Sequence, residues 1–169
     1  MKLLNDIIYK NNIKYALLNK FNYKNLSEIP ILEKVNLSLN IKNRPDLNFL
    51  VSSLVALELL TNQKGFLIRS KTFNLTTKIR KGDPIGARVT LRKDKARKFL
   101  LRLSNTKFSF PKNDNNTKHF SFLISNLMFF KEFEVNYHFF RRLGSLNVVV
   151  NTTALTREEF ICLLRFYKI

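Results

Sequence analysis

A strict alternation of apolar and polar residues from Val35 to Ile41 most constrains how this chain can fold. The segment reads V-N-L-S-L-N-I, so four aliphatic side chains point to one side and two asparagines and a serine point to the other. This pattern is typical of a β-strand with one buried and one exposed face. The chain must therefore build a sheet with its core on one side, while the other side meets solvent or a ligand.

Other periodic segments predict the elements that surround this strand. We expect strands at 65–71, 85–92, near 121–129 and at 146–152. Helices are predicted at about 2–18, from Arg44 to Asn62, after Arg92 and after Thr156, where Glu159 completes a capping box. The predicted fold class is α+β, with an antiparallel or mixed sheet, helices packed on one face and a basic opposite face. Residues 1–169 are predicted to form a single domain, because no long linker divides them.

The charge balance favours a polyanionic partner. The chain has 30 basic and 12 acidic residues among 169, a formal net charge of +18, which exceeds what solubility requires of a small domain. RNA or DNA is therefore favoured over an anionic membrane or an acidic protein. A single cysteine, Cys162, excludes an intrachain disulfide. We expect no targeting peptide and no membrane insertion, because no apolar run is long enough to cross a bilayer.

The positive charge is concentrated between Lys64 and Lys107, which hold fourteen cations and two acids. Arg69 and Lys71 are predicted on the outward face of one strand, and Arg88 and Arg92 on that of the next. These charges would form one surface suited to phosphates. The alternative is an ordinary solvated surface. The turn from Gly82 to Gly86 fits either a strand entry or a loop whose backbone N–H groups bind phosphate.

Signals for catalysis or metal binding are weak, so neither an enzyme, a cofactor nor a metal site is predicted. The only histidines are His119 and His138, and no pair of ligands has the spacing of a zinc site. The many phenylalanines could stack on unpaired bases. They cluster at 108–110, 129–130 and 139–140, outside the basic segment, and filling of the core is the favoured interpretation.

The stretch TKIRKGDPIGARVTLR, from Thr77 to Arg92, resembles the K-I-R-x-G-x-P-I-G-x-K-V-T-L-R signature of the ribosomal large-subunit protein five family. The flanking sequence extends the resemblance through F-N-Y at Phe21–Tyr23, Q-K at Gln63–Lys64 and T-T-A at Thr152–Ala154. The resemblance therefore covers nearly the whole chain. It implies the fold of that family and a structural role in the large ribosomal subunit.

The resemblance also implies partners and residues. Members contact 5S rRNA, neighbouring large-subunit rRNA, or both, in the central protuberance, and they also contact a small-subunit head protein. The rRNA-binding candidates here are Lys64, Arg69, Lys71, Arg88, Arg92 and Lys93. A loop of the family reaches peptidyl-site tRNA, and its matching residues here are Thr72, Asn74, Thr77, Lys78, Arg80 and Lys81. Such cations would position RNA through its phosphates and shape.

One region departs from the family pattern. The glycine- and arginine-rich motifs usual before the fourth strand are missing between Phe108 and Phe122. The abundant Asn, Lys, Ile, Leu and Phe have A/T-rich codons, which indicates an organellar genome. We therefore expect a mitochondrial, organelle-encoded member acting in the matrix, with a plastid or bacterial cytoplasm as alternatives. Two other functions remain open: a free-standing RNA-binding or RNA-maturation factor, and a basic protein at a membrane surface.

Overall fold

The computed structural model describes residues 12–40, 46–104 and 119–167. Its helices are α1 at 12–20, α2 at Leu47–Thr61, α3 at Lys93–Ser104, α4 at Lys131–Glu134, α5 at Tyr137–Phe140 and α6 at Arg157–Phe166. Its strands are β1 at Leu32–Asn40, β2 at Phe66–Arg69, β3 at Pro84–Arg92, β4 at His119–Ile124 and β5 at Leu146–Thr152. The five strands form one open antiparallel sheet in the order β2-β3-β1-β5-β4. The predicted α+β class is confirmed.

The chain divides into two compact units, each assembled from separate stretches. One comprises residues 35–91 and 121–149, and the other comprises 1–34, 92–120 and 150–169. We call them the sheet unit and the helical unit, because the first holds most of the strands and the second holds α1, α3 and α6. The single-domain interpretation stays a prediction.

The sheet unit buries one face of its strands, as the alternation in β1 predicts. Val35, Leu37 and Leu39 have no exposed surface, and Ala87, Val89 and Leu91 of β3 are at most 1% exposed. Helix α2 contributes one apolar side to this core through Phe49, Leu50, Ala56, Leu57 and Leu60. Burial of so many aliphatic side chains holds the backbone of β1 and β3 in place.

The segment after β4 differs from the prediction. A strand was expected to about residue 129, but β4 ends at Ile124 and a 3₁₀ turn follows at Leu127–Phe129. The side chain of Asn126 caps this turn by accepting a hydrogen bond from the Met128 N–H at 3.0 Å. The short helices α4 and α5 then bury Phe130, Phe133 and Phe140 in edge-to-face contacts. Core filling is thus correct for these three rings and wrong for Phe129 and Phe139, which are 45% and 72% exposed.

The helical unit is held by packing and by the predicted capping box. The Thr156 hydroxyl accepts a hydrogen bond from the Glu159 N–H, and the Glu159 carboxylate accepts one from the Thr156 N–H. Burial, followed by the charge of that carboxylate, raises the pKa of Tyr23 to about 12. Cys162 is buried.

Several predictions from the sequence fall on residues outside the described ranges. They are the first part of the N-terminal helix, the start of the predicted helix at Arg44, most of the segment between Phe108 and Phe122, and Lys107. Among the described residues, no helix is long and apolar enough to cross a membrane.

Candidate nucleic-acid interface

The β3 strand presents two arginines on a firmly packed backbone. Arg88 and Arg92 are exposed and alternate with buried Ala87, Val89 and Leu91. Thr90 lies between the arginines on the same face, and its hydroxyl donates a hydrogen bond to Asn36 Oδ1 of β1 at 3.0 Å. Because that bond joins neighbouring strands, it identifies the outward residues of β1 and β3 as one surface.

This outward face is polar and mixed rather than uniformly cationic. Asn36 and Ser38 of β1, Asn147 of β5 and Ser121 of β4 occupy its half-buried or exposed positions. Amide and hydroxyl groups of this kind can donate to or accept from RNA bases, sugars and phosphates. The predicted basic face therefore combines the arginines of β3 with uncharged polar groups and with apolar side chains, among them exposed Leu123 and half-buried Val149.

The register of β2 against β3 corrects the expected placement of Arg69 and Lys71 beside the arginines of β3. Phe66, and not Arg69, lies directly opposite Arg88, and its ring is 72% exposed. Arg69 lies opposite Pro84, at the other end of the strand pair and beyond a register shift. Because β2 ends at Arg69, Lys71 lies outside the strand that was predicted to carry it. Arg69, Lys71 and Arg88 all remain exposed.

An aromatic ring thus lies beside an arginine on the outward face, which the sequence analysis missed. Phe66, Leu67, Ile68, Arg88 and Thr90 line a shallow cavity of about 330 Å³. The sequence predicted a strand at 65–71, but the strand pairing was needed to show which of its residues lies beside Arg88. An exposed ring beside a guanidinium group is suited to stacking on an unpaired base.

Residues 70–83 form a closed loop rather than an open connection. At its base, the Ser70 N–H donates to the Asp83 carbonyl at 2.8 Å and the Gly82 N–H donates to the Ser70 carbonyl at 2.9 Å. Further out, Asn74 and Ile79 exchange two backbone hydrogen bonds of 3.0 and 3.2 Å. These pairs give the loop the form of a short hairpin with its tip at 75–78.

The residues predicted to face tRNA lie on this closed loop. Exposed positions are held by Thr72, Asn74, Lys78, Arg80 and Lys81, while Thr77 is half-buried. The sequence analysis did not single out the apolar residues at the same tip. Phe73 is 60% exposed and Leu75 is 78% exposed, so the tip offers apolar contacts beside its cations.

The glycine turn is a strand entry, the simpler of its two interpretations. The Arg80 N–H donates to the Asp83 carboxylate at 2.9 Å, and the Asp83 N–H donates to the Arg80 carbonyl at 3.2 Å. With the Gly82 N–H bonded to Ser70, these amides are used inside the loop rather than aimed at a ligand. Gly86 has a different role, since a Cβ there would lie 2.2 Å from the Leu39 carbonyl oxygen. Only glycine permits that close approach of β1 to β3.

The remaining candidates are exposed cations on separate elements. Lys64 precedes β2 in the sheet unit, together with Arg69, Lys71 and Arg88. Lys93 begins α3 in the helical unit, which also includes Arg92. Among the described residues, no group of three or more histidine, cysteine or acidic side chains could hold a metal ion.

Known proteins resemble this chain over nearly its whole length. A large ribosomal subunit protein uL5m of Reclinomonas americana is 33% identical over 172 residues, covering 95% of this chain and 93% of the relative. The uL5 proteins of Geotalea uraniireducens and Clostridium acetobutylicum are 31% and 32% identical and cover 99% and 94% of this chain. The two alignments extend over 97% and 92% of the relatives' own lengths.

No protein-family model matches the chain. The relatives nevertheless share about a third of its residues from end to end, and they include both a mitochondrial and bacterial forms. These relatives are ribosomal proteins rather than enzymes. The chain therefore belongs to the uL5 family of large ribosomal subunit proteins.

Proposed function

We propose that this protein binds large-subunit rRNA, with 5S rRNA as one candidate, through the outward face of its sheet. The observation that carries the proposal is the exposed pair of Arg88 and Phe66 on a face that also holds asparagine, serine and threonine side chains. The guanidinium group supplies a phosphate contact, the ring supplies a stacking surface, and the uncharged groups supply hydrogen bonds. Lys64, Arg69, Lys71, Arg92 and Lys93 add exposed positive charge on neighbouring segments.

Salt dependence separates the contributions of the arginine and the ring. We expect Arg88→Ala to weaken binding to 5S rRNA or large-subunit rRNA fragments and to reduce the slope of log affinity against log salt by about one. Phe66→Ala should weaken binding by about 5- to 150-fold, the equivalent of about 1–3 kcal/mol per stacked base, and leave the slope unchanged. Filter binding between 50 and 200 mM salt, the range over which phosphate contacts lose affinity steeply, measures both quantities.

Arg141→Ala is the matched control, because Arg141 is exposed in the same unit but lies outside the sheet. It should change affinity less than Arg88→Ala does. Equal effects of the two arginine variants would indicate general charge attraction and contradict binding through the sheet face. An unchanged affinity of Phe66→Ala would remove stacking from the proposal.

We further propose that the closed loop at 70–83 faces peptidyl-site tRNA. Its exposed cations Lys78, Arg80 and Lys81 are grouped on a hairpin that the backbone bonds hold together. Replacing these three residues with alanine should reduce crosslinking of the loop to tRNA in assembled ribosomes while incorporation into the large subunit continues. Unchanged crosslinking would contradict the tRNA contact, whereas loss of incorporation would indicate an assembly role instead.

The proposed compartment is the mitochondrial matrix, where the protein would work in the central protuberance and contact a small-subunit head protein. The mitochondrial relative supports this proposal, although bacterial relatives are similar to nearly the same degree. Sedimentation of a mitochondrial extract at moderate salt provides the test. Migration with large subunits is expected, and migration free of them would favour the alternative of a free-standing RNA-binding factor.

A further inference from the structure

One side of α2 carries an exposed apolar stripe that the core does not use. Leu47 is 76% exposed, Val51 54%, Val55 45% and Leu59 40%, and each follows the previous one by four residues. This spacing keeps the four side chains on one side of a helix, in a slightly slanting row about 18 Å long. The opposite side, with Leu50, Leu57 and Leu60, packs into the core of the sheet unit, so α2 is apolar on both sides.

The charge of α2 is unlike that of the rest of the chain. Residues 46–62 contain two acids, Asp46 and Glu58, and no lysine or arginine, although the whole chain has a net charge of +18. Both acids are exposed, and they lie near the two ends of the stripe. A surface without cations cannot neutralise RNA phosphates or anionic lipid headgroups. A contiguous apolar stripe bordered by acids instead fits a protein with an apolar face and basic flanks.

We propose that the α2 stripe docks an amphipathic helix of another protein within the large ribosomal subunit. The partner helix would present aliphatic side chains at three- and four-residue spacing, and lysines or arginines on its flanks would meet Asp46 and Glu58. A slanting row of about 18 Å accommodates about three turns of such a helix, crossing α2 at an angle. The proposal depends on membership of the large subunit and is independent of the RNA contacts proposed above.

The sole cysteine of the chain makes a direct test possible. Because Cys162 is buried, Val51→Cys introduces one exposed thiol, to which a benzophenone maleimide can be attached. The labelled full-length chain is assembled into large subunits and irradiated, and the crosslinked product is digested and sequenced by mass spectrometry. We expect a single protein peptide with apolar residues at helical spacing and basic flanks. The same label at Glu134→Cys, an exposed position on α4, should not capture that peptide.

Three results would overturn the proposal. They are a crosslink to rRNA, a crosslink to a second copy of this chain, and a Val51→Cys thiol that reacts with maleimide as fast in the assembled subunit as in the free chain.

A double variant, Val51→Glu with Val55→Glu, should reduce the partner's occupancy in purified subunits at least tenfold while rRNA affinity stays unchanged. If that variant does not fold, Val51→Ser with Val55→Ser replaces it, with the same loss expected. Full partner occupancy in a folded variant contradicts the proposal, whereas Arg88→Ala should affect rRNA binding alone.

Discussion

The β3 strand and the loop that precedes it carry similar positive charge but position it in different ways. In β3, Arg88 and Arg92 stand on a backbone whose alternate residues, Ala87, Val89 and Leu91, are at most 1% exposed. Of residues 70–83, all of which the structure describes, Ile79 is the one that is buried, and backbone bonds at the base and below the tip close the loop. The strand's cations are fixed by the core, and those of the loop by local hydrogen bonds.

This difference suits two kinds of RNA contact. A permanent partner such as rRNA is recognised best by groups that are already in place, because little ordering entropy is then lost on binding. A partner that enters and leaves, such as tRNA, can be met by a loop that opens at a lower free energy than the sheet. The comparison therefore supports the assignment of strand and loop to different proposed partners.

The largest expected difference between the strand and the loop is in the effect of truncating one leucine in each. Leu91→Ala removes a fully buried side chain behind the arginines of β3 and should lower the free energy of unfolding by about 2–5 kcal/mol. Leu75→Ala removes a side chain that is 78% exposed at the loop tip and should change stability by less than about 0.5 kcal/mol. Urea unfolding followed by circular dichroism measures both. Similar losses would mean that the loop is packed as firmly as the strand.

A second test uses the glycines of the two regions. Gly86→Ala places a Cβ against the Leu39 carbonyl oxygen, so β1 or β3 must move, at a cost of about 1–3 kcal/mol. Gly82→Ala meets open space in the loop, but its φ of +94° is unfavourable for alanine, and we expect a loss of about 1 kcal/mol. Thermal unfolding gives both values, and rRNA affinity should fall for Gly86→Ala only.

Gly144→Ala is the control for both glycine variants. Its nearest described neighbour would be 3.8 Å from the new Cβ, an ordinary contact, so stability should be unchanged or slightly higher. If Gly86→Ala behaves like Gly144→Ala, the close approach of β1 to β3 has no energetic consequence. The role given to Gly86 would then be wrong.

The fold could be predicted largely because its signals are local. Alternation identified β1 and β3, and the Thr156–Glu159 spacing identified the start of α6, since side-chain period and capping depend on neighbouring residues. The face shared by Arg88 could not be predicted in the same way. It depends on the register between β2 and β3 and on the shift after Ile68, which neither strand's own sequence encodes.

The same reasoning explains what was missed on α2 and in the loop. The sequence predicts a helix from Arg44 to Asn62, yet only the packing of α2 shows that Leu47 and Val51 face outward. In the loop, the pairing of Ser70 with Gly82 and Asp83 joins residues twelve and thirteen positions apart. Composition revealed the cations of this loop, but the hydrogen bonds that hold them together required three-dimensional structure.

The smallest expected effect comes from removing one hydrogen bond within the loop. Asp83→Ala removes the carboxylate that accepts the Arg80 N–H at 2.9 Å and should cost about 1 kcal/mol, confined to the loop. Amide hydrogen exchange is therefore expected to accelerate about fivefold at Arg80 and Gly82, with Val89 of β3 unaffected. Asp83→Asn separates charge from hydrogen bonding, because the amide oxygen can still accept the bond. Exchange should stay near wild type in that variant, and equal acceleration at Val89 would show that loop and strand open together.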